Sequence, residues 1–179
     1  MKLTFLLSLL FLVNAAALRA QTEPCALMPE QAPNFFNLKL GMSDQAVRDL
    51  FGKTIKFKPK KKPDQRTFFQ NFIKKPSPAI LPGVRALYLR FYEHKIYQIE
   101  IFYENRPEWQ TLDKFTASIA ASHSLSAQTW VNDKNRAGIK CSGFTIVADQ
   151  ILNPRIELTD VAVNAKLIEL AIAAKQKKE

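Results

Sequence analysis

From Val84 to Tyr103, apolar and polar residues alternate with a period of two. Leu87, Leu89 and Phe91 take turns with Tyr88, Arg90 and Tyr92, and Tyr97, Ile99 and Ile101 with Gln98 and Glu100. Successive side chains of a strand point to opposite faces, so the pattern predicts strands over 84–92 and 96–103 that bury one face. Glu93-His94-Lys95 between them predicts a tight hairpin. Apolar and aromatic stretches at 66–73, 128–132, 139–148 and 155–158 predict four further strands.

Elsewhere the period lengthens to that of a helix. Ser43 is a good N-cap, Asp44 suits a first turn, Ala46, Val47, Leu50 and Phe51 fall on one side, and Gly52 is a stop, which together predict a short helix. Pro107 suits the start of a second helix, in which Trp109, Leu112, Phe115, Ile119 and Ala120 recur up to about Ser122. Asp160 can cap a third helix from Val161 to about Lys175, with Val163, Leu167, Leu170 and Ala174 as its apolar stripe. The predicted class is α+β. An antiparallel sheet of about five to six strands carries a short N-terminal helix, a middle helix and a C-terminal helix packed on it. The order helix, three strands, helix, three strands, helix suggests two similar halves, although no residues match between them.

The first twenty residues follow neither period. Lys2, the apolar run from Leu3 to Val13, and the small residues Ala15, Ala16, Ala17 and Ala20 have the layout of a cleaved secretory signal, with cleavage near Ala20. The apolar run is too short to span a bilayer. The expected mature protein is one domain, 21–179, a length that buries roughly two-thirds of its unfolded surface. An extended arm is expected over 21–37, where Pro24, Pro29, Pro33, Asn34 and Asn37 break regular structure.

An exported chain changes the meaning of its two cysteines. Cys25 and Cys141 are the complete set, and paired thiols close in an oxidising compartment, so a structural disulfide is expected. No CxxC is present, and His94 and His123 offer no ligand spacing beside the cysteines. Neither a redox pair nor a metal site is therefore predicted, and no cofactor.

The formal net charge is +10, and loss of Lys2 and Arg19 with the signal leaves the chain basic. Acidic partners are favoured by steering. The densest charge is the run Lys53, Lys56, Lys58, Lys60, Lys61 and Lys62, which Pro59 and Pro63 keep out of helix and central strand. It reads as an exposed loop, and as the candidate anion-binding site for anionic lipid or another envelope polyanion. Nucleic acid is disfavoured as a partner, because export removes the chain from it and the aromatics do not interleave with basic residues.

Catalytic groupings do not emerge. Ser43 is explained as a cap, Ser122, Ser124 and Ser126 flank His123 at a helix end without a GxSxG elbow, and His94 occupies a hairpin tip. Glu93, Glu100 and Glu104 lie on or beside the hairpin, where cross-strand pairing is their expected use.

The segment Leu38-Lys39-Leu40-Gly41-Met42-Ser43-Asp44-Gln45-Ala46-Val47-Arg48-Asp49-Leu50-Phe51-Gly52 resembles the capped short helix of the SmpA/OmlA (BamE-like) and β-lactamase-inhibitor-like envelope modules. The resemblance implies an antiparallel meander after the helix and a small, non-catalytic interaction fold, and it transfers no site residue. Over its full length, with Cys25, the Gly41-Met42-Ser43 turn, the 87–91 strand and Cys141-Ser142-Gly143-Phe144, the chain is similar to a group of secreted bacterial proteins. That group lends no activity.

The expected function is an exported, non-catalytic protein-interaction module of the bacterial envelope, periplasmic or secreted, monomeric and not transmembrane after cleavage. Its expected partner is an envelope protein held through the sheet. The alternative is attachment to polyanion or anionic lipid through the 53–62 lysines, and the third reading is an extracytoplasmic hydrolase.

Overall fold

The computed structural model describes residues 25–52, 68–74, 81–123, 125, 130–150 and 153–177. The expected signal, 1–20, and the lysines of 53–62 lie outside the described residues. Among the described residues, seven strands form one antiparallel sheet: β1 Phe68–Lys74, β2 Val84–Tyr92, β3 Lys95–Tyr103, β4 Val131–Asp133, β5 Arg136–Lys140, β6 Phe144–Asp149 and β7 Arg155–Asp160. Their spatial order is β1-β2-β3-β7-β6-β5-β4. Two meanders, β1 to β3 and β4 to β7, are thus joined where β7 pairs with β3. The fold is α+β, as the sequence pattern predicts.

The sheet has one strand beyond the expected range because the stretch 139–148 divides. Cys141 pairs with Phe144 through a 2.9 Å backbone bond, and the two residues between them turn outward to another partner. Ser142 N–H donates to the Cys25 carbonyl at 2.8 Å and Gly143 N–H to that of Leu27 at 2.9 Å. The Cys25–Cys141 disulfide forms at this point, linking residues 116 apart in sequence across a Cα separation of 4.4 Å.

Register sorts the strand residues into two faces. Leu89, Ile99, Leu158, Ile146 and Ile139 lie opposite one another across five strands, and Leu87, Ile101, Ile156, Ala148 and Ala137 form the next row. All ten are buried. The helix α1, Asp44–Phe51, adds Val47 and Phe51 to this core, and α2, Leu112–Ser122, adds Phe115 and Ile119. Ser43 Oγ accepts from Ala46 N–H at 3.1 Å and caps α1, as expected. The second helix starts later than Pro107, because Pro107–Trp109 is a short 3-10 turn and Thr111 Oγ caps the α-helix proper.

The arm is more than a tether. Phe35 and Leu38 exchange backbone bonds of 3.0 and 2.9 Å around Phe36-Asn37 and are both fully buried. With Ala32 and Leu40 they close the core over the sheet.

The third helix, α3, runs from Val161 to Gln176 and is capped by Asp160 Oδ1, which accepts from Val163 N–H at 3.0 Å. It meets the ends of β6 and β7. Val163 and Leu167 of the expected stripe are half-buried there, yet none of its residues is buried, and Leu170 is 52 % exposed.

Candidate functional site

The face of the sheet opposite the core follows the same register and carries the complementary residues. Tyr88 faces Glu100 and Glu100 faces Glu157; Arg90 faces Gln98 and Gln98 faces Thr159; Phe102 faces Arg155, Arg155 faces Asp149 and Asp149 faces Arg136. Tyr88, Arg90, Tyr92, Phe102, Arg155, Glu157, Thr145 and Val147 are all half-exposed. Alternation along each strand puts these groups on one face, and the strand order brings them together.

Two hydrogen-bonded bands cross this face. In the first, Arg155 donates to Glu100 Oε1 at 2.6 Å and to Asp149 Oδ2 at 3.1 Å, and Arg136 donates to the same Asp149 oxygen at 3.2 Å. The chain Glu100, Arg155, Asp149, Arg136 spans β3, β7, β6 and β5. Burial works against the Arg155 charge, but the Glu100 hydrogen bond and the carboxylates around it raise its pKa above the ordinary arginine value. In the second band, Gln98 donates to Glu157 at 2.8 Å and Thr159 at 2.9 Å and accepts from Arg90. Beside it, burial raises the Tyr97 hydroxyl above its usual pKa, and the neighbouring Arg90 opposes that shift.

Three arginines and three carboxylates therefore neutralise one another along the two bands. Each named carboxylate is engaged in a hydrogen bond. Glu100 is used in cross-strand pairing, as the sequence suggests. The guanidinium of Arg155 also lies 5.9 Å from the Phe102 ring, and Phe102 meets Tyr88 edge-on at 6.0 Å. Aromatic and arginine groups fixed on a rigid sheet are the residues that anchor protein contacts.

A second surface adjoins this one. A cleft of about 670 Å³ lies at the root of α3, walled by Leu40, Tyr92, Tyr97, Val163 and Lys166. Lys166 Nζ stands 5.0 Å over the Tyr92 ring and 3.9 Å from Glu93. Beyond the cleft, α3 carries Ile168, Leu170 and Ile172, each more than half exposed. Ala165, Ile168 and Ile172 make a second apolar seam with Val161, on the side of the helix away from Val163, Leu167 and Leu170. Both seams step by four, three and four residues, the spacing of a helix that packs against other helices. The sequence reading found only the first; the second is legible by the same count.

Other candidates fall apart in space. His94 sits at the hairpin tip at φ 63°, with Nδ1 3.6 Å from Asp44 Oδ1. His123 closes α2 far from it in the fold, next to Ser122, whose hydroxyl donates to the Ser118 carbonyl at 2.8 Å. Ser124 and Ser126 lie outside the described residues, as do Lys53, Lys56, Lys58, Lys60, Lys61 and Lys62. Among the described residues, no group of three His, Cys, Asp or Glu side chains could hold a metal ion, and no helix is long and apolar enough to cross a membrane.

Compared with known proteins, the chain matches no family model, no curated protein and no solved structure.

Proposed function

We propose that this protein is an exported, non-catalytic interaction module that binds a protein of the bacterial envelope through α3 and the adjoining half-exposed face of the sheet. The observation that carries the reading is α3 itself: sixteen residues, apolar apart from Asn164, Lys166, Glu169, Lys175 and Gln176, with none buried. Burying one large aliphatic side chain gains about 1.5–3 kcal/mol, so a helix bearing two apolar seams in water gains most when something encloses it. A helix apolar on both sides is poorly suited to lie flat on a membrane, which asks for one apolar and one charged face. It suits a groove in another protein.

Charge defines the partner further. The charged positions of α3 are Lys166 and Lys175, with Lys177 as its C-cap, against the single carboxylate Glu169, so the groove that receives it carries an acidic rim. The Tyr88, Phe102 and Arg155 cluster, toward the other end of β7 from the root of α3, supplies further anchors on the same face. Export rests on the layout of 1–20 together with the disulfide, and the resemblance of 38–52 to BamE-like modules supports an envelope role.

The test is site-specific photo-crosslinking in the native envelope from position 172. A discrete adduct is expected that survives neutralisation of Lys53, Lys56, Lys58, Lys60, Lys61 and Lys62 and is lost in Ile168→Glu. Loss with the lysines but not with Ile168→Glu would replace this reading by polyanion attachment. No adduct above that of a surface control position would reject it.

A further inference from the structure

The two edges of the sheet are built differently. At one end of the spatial order, β4 is three residues long, all three exposed, and turns straight back into β5. At the other end, β1 is seven residues long and pairs with β2 along its whole length, from Phe68 opposite Tyr92 to Lys74 opposite Ala86, with no shift of register. Among the described residues, no strand or isolated bridge pairs with the other side of β1.

An edge strand is a hazard, because its unpaired N–H and C=O groups are a template for another chain. Proteins blunt such edges with short strands, bulges, prolines and charges, and β4 is blunted by its length. Over its first six residues β1 uses none of these devices. Phe68-Phe69-Gln70-Asn71-Phe72-Ile73 contains no proline, no glycine and no charge. Its ladder with β2 runs unbroken, whereas that of β2 with β3 shifts register at two points.

In an antiparallel ladder, successive residues aim their N–H and C=O groups at one neighbour and then at the other. About half of the residues of β1 therefore present a donor and an acceptor together on the outer side, repeating at about 7 Å. The complement of that array is another extended backbone.

Register also sets the side chains an added strand carries. Positions 69, 71 and 73 stand opposite Phe91, Leu89 and Leu87, which are buried, and positions 68, 70 and 72 opposite Tyr92, Arg90 and Tyr88, which are half-exposed. A strand laid on β1 continues both rows, so its core-side residues are apolar. Its other residues join the face that holds Arg90, where the net charge of +10 on the chain favours carboxylates.

We infer that the outer edge of β1 is a strand-addition site for an extended segment of a partner protein, one that alternates apolar and acidic residues and adds antiparallel, as every pairing in this sheet does. The site is independent of α3. It needs no helix-binding groove in the partner, so a peptide tests it without testing the reading of the helix.

The experiment is two-dimensional NMR on the folded, disulfide-bonded protein, titrated with an acetylated, amidated heptapeptide of alternating valine and glutamate. In the free protein, amide exchange along 68–74 should alternate, slow at residues bonded to β2 and fast at those between them. The peptide should give saturable shifts along β1 and slow the fast amides. Of two peptides N-methylated on every valine or on every glutamate, one should lose binding and the other keep it, because only one set of N–H groups faces β1. Lysine in place of glutamate should weaken binding about tenfold or more. Of Gln70→Pro and Asn71→Pro, one removes a bond to β2 and should lower the melting midpoint. The other stands where an edge strand tolerates proline, and it should keep that midpoint and lose the peptide.

The inference is overturned if the peptide fails to saturate, if the two methylated peptides bind alike, if the lysine peptide binds as well, or if the proline variant that keeps its midpoint binds like the parent. It is equally overturned if all amides of 68–74 exchange slowly in the free protein, since the edge is then covered by its own chain. Dimerisation through β1 without peptide would overturn it in favour of a second copy.

Discussion

A Cβ at Gly143 would stand 2.4 Å from Cδ of Pro29 and 2.7 Å from Cα of Met28. The arm therefore crosses the β5–β6 turn with no room for a side chain, and Gly143→Ala should cost about 1–3 kcal/mol in a denaturant melt, the usual range for overpacking. Arg155 poses the opposite problem. Removing it strands Glu100 and Asp149, whose side chains are each 9 % exposed, although Arg136 still pairs with Asp149. Arg155→Leu should lower stability by about 3 kcal/mol, and Glu100→Gln in that background should restore part of the loss. His123 brings a pH dependence. Burial pushes its pKa below the ordinary histidine value, and the Asn34 hydrogen bond restores part of that. The unfolded chain takes up a proton below about pH 6.5 while the folded ring resists it. Stability from this group is thus complete above that pH and falls as the solution is acidified toward the folded-state pKa. His123→Phe should flatten the slope between about pH 7.5 and about pH 5, read as denaturation midpoints.

At the level of elements, alternation and caps carried the reading far. The hairpin of β2 and β3, the Ser43 and Asp160 caps and the pairing of Cys25 with Cys141 all stand in the structure. What escaped the pattern depends on contacts remote in sequence. The 139–148 stretch is continuous in hydrophobicity, and only the arm, more than a hundred residues earlier, bends it at Ser142-Gly143. Likewise the Glu100–Arg155–Asp149 band requires knowing that β7 lies between β3 and β6, which no local window contains. For α3, Ile168→Glu and Ile172→Glu should change the denaturation midpoint little, within about 0.5 kcal/mol, because both side chains already face water. A large loss of stability in dilute protein would show that α3 is covered by its own chain.

For the whole molecule, the disulfide closes most of the sequence into one loop. In the chain-entropy picture such a closure is worth up to about 5 kcal/mol, so Cys25→Ser with Cys141→Ser should lower the unfolding free energy by an amount approaching that. Adding reductant to the parent should reproduce the loss. The core explains why the fold should survive it at moderate temperature: both apolar rows span five strands without interruption. Timing is set by the sheet order. The last strand to be synthesised, β7, is the one that welds the two meanders together between β3 and β6. Until Arg155 to Asp160 arrive, each meander has an open edge and half a core, so the emerging chain stays loosely folded and threadable. For the exported module proposed above, that order would make the final strand the latch, delivered only when transit is nearly over.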